Sequence, residues 1–284
     1  MKFRLIIPQC HNFSGWWCEN SKNIESRLEV LQNSMDNDEI DIIITSHNYF
    51  IFFPSCLVDI RKFVEKQIIN HLLNKISSER RKPIILGFDI LNQHIIFNPY
   101  STGIDAVVCF IDLNNNGNYI YNTHIWECWE ETKVGKKCSQ PCFLAQNNAR
   151  LIRFSNYIIG LLSCGDIARY CHDDGKLLPQ VDIYIDLSHK SLKGDTSQLK
   201  IPPKIVNEWG KADMVIVTQQ VKNVNRYQQK KYPYIFYNNK FVVNININKY
   251  TVGDEKGAYI DIQIKQSNNP FSGPAYPPAA EFGP

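Results

Sequence analysis

The chain has 284 residues, 44% apolar and 21% charged, with a formal net charge of +3. That length and apolar content allow one large domain or two ordinary ones with a substantial core. So small a positive excess argues against a nucleic-acid binder, and an odd count of nine scattered cysteines argues for a reducing cytoplasm rather than a disulfide scaffold.

No stretch reaches the length of a membrane span, and Met1 to Pro8 is too short an apolar run for a signal peptide. Cys138 and Cys142 are the one close cysteine pair and lack a second pair at ligand spacing, so neither a metal nor a cofactor is expected.

Lys2 to Gln9 reads as a first strand. Ser21 or Asn23 can cap a helix whose Ile24, Leu28, Leu31 and Met35 recur at helical spacing, and Ile40 to Thr45 follows as a second strand. This β-α-β opening predicts parallel neighbours in one sheet. An amphipathic helix is predicted from Leu57 to Ile76, then a strand from Ile84 to Phe88.

Strands are predicted at His94 to Asn98 and Ala106 to Asp112. The turn at Asn114 to Gly117 sends Tyr119 to Tyr121 back as a hairpin. Glu127 to Gln146 reads as a loop, and Leu151 to Phe154 and Tyr157 to Leu162 as strands. Further on come a short helix to Cys171, a strand from Val181 to Leu187, and, after Pro202-Pro203, a helix through Trp209 and Ala212. Met214 to Thr218 is a strand, Tyr234 to Ile247 a β-rich return with a turn at Asn238-Asn239, and Gly257 to Ile264 the last strand. Residues 266 to 284 hold five prolines without apolar periodicity, and read as a tail or strap after a domain spanning 1 to 265.

The stretch Tyr157 to Asp166 is the centre of the functional reading. A buried apolar strand ends on Cys164, and Gly165-Asp166 open a turn into a helix. A cysteine at such a corner has its sulfur at a helix N-terminus, where backbone N–H groups stabilise a thiolate. The competing reading is a buried structural cysteine.

In this order the elements resemble the nitrilase, or carbon–nitrogen hydrolase, superfamily. The residues that carry the resemblance are Gln9 ending the first strand, an Asn-led helix, and the strand after it. Gly87, the Asn-Gly hairpin turn, Gly160 to Asp166 around the cysteine, and the closing Ala258 to Ile262 complete the set. The resemblance implies an α/β fold, a four-layer α-β-β-α sandwich, which assembles as a homo-oligomer or on a partner protein and takes a small amide-type ligand.

Family enzymes use Cys as nucleophile, Glu as general base and Lys to hold the oxyanion, because the thiol needs a base in reach and the developing charge needs a fixed cation. Cys164 stands at the nucleophile position. At the Glu position the strand Asp41 to Thr45 leads to Ser46 and His47, and a shifted register through Phe53-Pro54 leads to Ser55. Thr123 stands in the place of the Lys, and Glu130 or Glu131 matches a supporting family Glu by loop spacing. The resemblance therefore implies a degenerate member acting in binding or assembly. The alternative is an active thiol amidohydrolase or acyltransferase in which His47 is the base for Cys164, a neutral imidazole being a competent base near pH 7.

Two weaker readings stand beside it. Trp16, Trp17, Tyr121, Trp126 and Trp129 can line a pocket or interface, although core packing is their ordinary role. Arg226 to Tyr232 interleaves basic and aromatic residues as a single-strand binder does, but one such patch in a near-neutral chain argues against nucleic acid as a partner.

Overall fold

The computed structural model describes residues 1–9, 12–14, 17–19, 24–46, 49–52, 64–91, 104–115, 118–128, 151–163, 178–187, 201–218 and 234–267. Strand β1 (Lys2–Pro8) is followed by a small hairpin of β2 (Asn12–Ser14) and β3 (Trp17–Glu19), then by helix α1 (Ile24–Met35). Strands β4 (Ile42–Thr45) and β5 (Phe50–Phe52) precede helix α2, whose π-helical start (Val64–Ile69) runs into α-helix (Asn70–Lys75). Strands β6 (Ile84–Leu91), β7 (Ile104–Asn115) and β8 (Asn118–Cys128) complete the first half.

The second half opens with β9 (Leu151–Phe154), β10 (Tyr157–Ser163) and β11 (Ile183–Leu187). A short helix α3 (Ile201–Pro203, then Lys204–Glu208) leads to β12 (Met214–Thr218) and β13 (Tyr234–Tyr237). The long strands β14 (Phe241–Val252) and β15 (Glu255–Gln266) close the described chain.

The strands form two large sheets. The first has the order β14-β15-β1-β4-β6-β7-β8, with β5 also on β6, and the second has the order β13-β12-β11-β10-β9. The expected β-α-β opening is present: β1 and β4 are parallel, Phe3 facing Ile42 and Leu5 facing Ile44 in register. In each sheet the middle strands are parallel and the flanks antiparallel. The parallel strands read as unbroken apolar runs such as Met214-Val215-Ile216-Val217 because both faces are covered.

Alternation along the strands sorts those residues into three layers. Phe3, Leu5, Ile42, Ile44 and Ile260 of the first sheet meet Leu161, Ile183, Ile185 and Ile216 of the second in one apolar layer between the sheets. The opposite face of the first sheet, with Ile6, Ile43 and Leu86, is covered by Leu28 and Leu31 of α1 and by Ile68 and Leu72 of α2. The outer face of the second sheet, with Tyr184, Val215 and Val217, is covered by Ile201 and Ile205 of α3. Helix, sheet, sheet, helix: the chain folds as the four-layer α-β-β-α sandwich that the resemblance implied.

The layer under α1 also contains charge. Arg4 makes a two-pronged ion pair with Asp261, directly opposite it on β15, at 2.7 and 2.8 Å. Arg27 of α1 pairs with Glu255 at 2.8 Å, where both side chains are at most 3% exposed. Arg27 also donates to the Tyr49 carbonyl, and the Tyr49 hydroxyl donates back to the Arg27 carbonyl at 2.9 Å.

Several boundaries differ from those the sequence predicts. Helix α3 ends at Glu208 rather than passing Ala212, because Gly210 takes φ +59°, the left-handed conformation that terminates helices. Strand β8 extends through Glu127 and Cys128, which the sequence reading gave to a loop. The return from Tyr234 to Ile247 is not one hairpin: β13 pairs with β12 in the second sheet, whereas β14 pairs with β15 in the first. The crossing at Asn238 to Lys240 is held by Asp213, which accepts from Asn238 Nδ2 at 2.8 Å and from Lys240 Nζ at 2.8 Å. The expected strand at His94 to Asn98, the helix to Cys171, the start of the helix at Leu57, and the tail beyond Ser267 lie outside the described residues.

Candidate functional site

Open α/β sheets bind ligands at the carboxyl ends of their parallel strands. In the first sheet those ends belong to β1, β4 and β6, and in the second to β10, β11 and β12. His47 comes two residues after β4, and Cys164 is the residue after Ser163, the last of β10.

Strand β4 leaves its ladder in a defined way. The Gly87 amide of β6 donates to the Thr45 hydroxyl at 3.0 Å, so a side chain takes the place of a backbone acceptor. Pairing on β6 then resumes with β5, Phe50 opposite Phe88 and Phe52 opposite Ile90. The Tyr49 amide donates to the Ser46 carbonyl at 3.2 Å, and the Phe50 and Phe88 rings stack at 5.7 Å, which fixes the restart. The two registers left open by the sequence are therefore successive stations on one strand path: Ser46 and His47 follow the first segment, and Phe53-Pro54-Ser55 follow the second. Neither position offers a carboxylate.

Strand β10 approaches its end against an aromatic ring. Gly160 lies opposite Tyr184, and a Cβ on Gly160 would meet that ring at 2.4 Å, so only glycine lets Tyr184 cover β10 four residues before Cys164. Across the layer between the sheets β10 packs on β7 and β8. Thr123 lies within β8, opposite Cys109 of β7, at a bulge where Val108 and Cys109 face Ile125 and Thr123 with one residue extra on β8. Bulges turn a strand and are common beside functional sites. The fold thus brings the strand of Thr123 against the strand that leads to Cys164.

His47, Glu131 and Cys164 themselves lie outside the described residues, as do Glu130, Ser55, Trp16 and Trp129. Thr123 is placed by backbone register alone.

Two buried hydroxyls at the strand ends are not predicted by the sequence. Ser46 and Thr218 are fully buried, and neither hydroxyl has a hydrogen-bond partner among the described residues. Thr218 ends β12 in step with Met214 and Ile216, which belong to the layer between the sheets. A buried unsatisfied hydroxyl costs about 1–3 kcal/mol, so each can both donate to and accept from a polar group. The available signal was a hydroxyl residue closing an apolar parallel strand. Among the described residues no group of three or more His, Cys, Asp or Glu is placed to hold a metal ion. No helix among them is long and apolar enough to cross a membrane.

A comparison with protein-family models gives no match, and a comparison with curated proteins gives none either. Among solved structures the chain is similar to Saccharomyces cerevisiae Nit3, a member of branch 10 of the nitrilase superfamily. There the identity is 12%, 93% of this chain and 90% of that one are covered, and the TM-score is 0.48. It is also similar to an amidase from Nesterenkonia sp., at 11% identity over 78% of this chain and 76% of that one, with a TM-score of 0.45. A mutant of the Nesterenkonia AN1 amidase from the nitrilase superfamily scores 0.44 at 10% identity, covering 78% and 77%. Likeness at this level assigns no activity or substrate, and the four-layer fold stands on the strand orders and apolar layers above.

Proposed function

We propose that this chain is a divergent nitrilase-like protein, of carbon–nitrogen hydrolase descent, whose catalytic set has degenerated and whose sandwich serves in binding or assembly. One observation carries this reading: the strand positions where the family has its Glu and its Lys hold neither a carboxylate nor a cation. The central strand β4, between β1 and β6, runs out into Ser46 and His47, and its continuation β5 runs out toward Ser55. Strand β8 contains no Lys or Arg from Asn118 to Cys128. Loss of one oxyanion donor costs about 10²–10³ in rate, and loss of a general base about 10²–10⁴. A lone thiol at position 164 then gives no useful turnover. A small amide-type ligand could bond to a buried hydroxyl without a partner among the described residues, such as that of Ser46 or of Thr218, and the odd cysteine count with the buried thiol of Cys109 suits the cytoplasm.

A second reading keeps activity, with His47 as the base for Cys164 and Thr123 and Glu131 in supporting positions. What favours it is that His47 follows β4, the strand at whose end the family base stands. One experiment separates the two. The protein is incubated with amide, nitrile and ester donors plus hydroxylamine, and hydroxamate and intact mass are read. The degenerate reading expects no hydroxamate and no acyl adduct, with an oligomeric state that Cys164→Ala leaves unchanged. An adduct abolished by both Cys164→Ala and His47→Ala overturns it in favour of the thiol enzyme.

A further inference from the structure

Strand β14 is the outermost strand of the first sheet, and no strand among the described residues pairs with its outer edge. It is long and regular: twelve residues pair with β15, from Phe241 opposite Gln266 to Val252 opposite Glu255, without a shift in register. Natural edge strands are blunted by charges, prolines, bulges or short length, because an open edge recruits other strands. From Phe241 to Asn248 this edge has no charge, no proline and no glycine. It also presents Val242 and Ile245, 50% and 37% exposed, two of the three exposed large apolar side chains among the described residues.

We propose that the outer edge of β14 pairs antiparallel with β14 of a second copy of this chain, about a two-fold axis at Ile245, so that the first sheets of two subunits run on as one. The sequence is self-complementary about that residue. With Ile245 opposite Ile245, Val243 meets Ile247 on the same face, and Asn244 meets Asn246 on the other. Apolar and β-branched cross-strand pairs stabilise antiparallel ladders, and paired asparagines can bond side chain to side chain. The flanking lysines do not collide: Lys249 falls opposite Phe241, and Lys240 opposite Tyr250.

The competing occupant is the chain's own segment from 268 to 284. It contains prolines at 270, 274, 277, 278 and 284, with no run beyond position 270 longer than five residues free of proline. Proline cannot donate to a ladder and is excluded from paired strand interiors, so this segment does not match twelve regular edge residues. The pairing is independent of whether Cys164 is active.

The test uses the full chain in sedimentation velocity from about 1 to 100 µM, because an edge contact is small beside the roughly 1,600 Å² of a stable interface. A concentration-dependent dimer is expected. Ile245→Lys and Ile245→Glu each place like charges on the two-fold axis and raise the dimer dissociation constant at least tenfold, while an equimolar mixture of the two restores a heterodimer. Folding of each variant is checked by circular dichroism. If either is unfolded, Asn244→Glu with Asn246→Glu, on the exposed opposite face, replaces it with the same expectation of monomer. A monomeric native chain over the whole range, or a dimer indifferent to the charge at position 245, overturns the proposal. So does a dimer seen only with a different protein bound along this edge.

Discussion

Two layers flank the first sheet, and they are held by different physics. Among the described residues, the one between the sheets is built of apolar side chains, from Phe3 and Ile44 to Ile185 and Ile216, with the hydroxyl of Thr218 at its strand-end margin. The one under α1 has similar apolar contacts but also buries Arg4 with Asp261 and Arg27 with Glu255, beside the rings of Tyr49, Tyr250 and Tyr259. Apolar packing rewards total area and tolerates small slides, whereas an ion pair out of water holds only in one geometry. Arg4 and Asp261 face one another across β1 and β15, and Arg27 joins α1 to the β14–β15 turn and to Tyr49, next to the break in β4. The contrast implies that the inter-sheet layer supplies cohesion and the outer layer supplies alignment.

The sharpest test of that contrast is Glu255→Ala, which leaves the Arg27 guanidinium buried without its carboxylate. It should cost about 3–5 kcal/mol, read as the urea midpoint. Leu161→Ala in the inter-sheet layer should cost about 2–4 kcal/mol by cavity formation. If Glu255→Ala costs far less than Leu161→Ala, the assignment of alignment to the ion pairs fails. Replacing both partners with apolar residues, Arg4→Met together with Asp261→Leu, should change stability by no more than about 1 kcal/mol or raise it. Asp261→Ala alone should cost about 3 kcal/mol. A double variant as unstable as the single one would show that the pair contributes attraction and not only geometry.

A smaller effect is expected at alkaline pH. Burial pushes the phenols of Tyr49 and Tyr250 well above the ordinary tyrosine range. The folded state therefore retains protons that the unfolded state releases. Their contribution is present in full below about pH 10 and is lost as pH rises beyond the ordinary tyrosine value. Tyr250→Phe should flatten the fall in urea midpoint between about pH 9 and 11, and an unchanged slope would assign it to other groups. The smallest effect belongs to Lys240→Ala. Its bridge to Asp213 is largely exposed on the lysine side, so the cost should stay under about 1 kcal/mol.

Much of the architecture was legible in the sequence because both faces of its parallel strands are covered. Met214 to Thr218 and Leu151 to Phe154 coincide with β12 and β9, and the periodicity of Ile24, Leu28, Leu31 and Met35 matches α1. What escaped was non-local. Nothing in Asn238-Asn239-Lys240 distinguishes a hairpin turn from a passage between sheets, since the choice is made by Asp213, 25 residues away from Asn238. The interruption of β4 at Thr45 depends on an amide at Gly87, and both buried ion pairs join residues more than 200 positions apart. Of the candidate site, the sequence offers the positions after β4 and β10, Ser46-His47 and Ser163-Cys164, of which His47 and Cys164 lie outside the described residues. The burial of the Ser46 and Thr218 hydroxyls is not legible in the sequence, because it depends on what covers the strand end.

The position of β15 has a consequence for synthesis. It lies between β14 and β1, and the Met1 carbonyl receives the Ile264 amide at 2.9 Å. A growing chain therefore completes β1 and waits for the last strand of its own sheet. At about 5–20 residues per second the interval is on the order of half a minute. Throughout it Arg4 has no Asp261, and one flank of β1 is open to any extended segment nearby. A ribosome that stalls before the codons for residues 255 to 266 holds an unfinished sheet, and chaperone capture on such stalled chains should fall away once β15 has emerged.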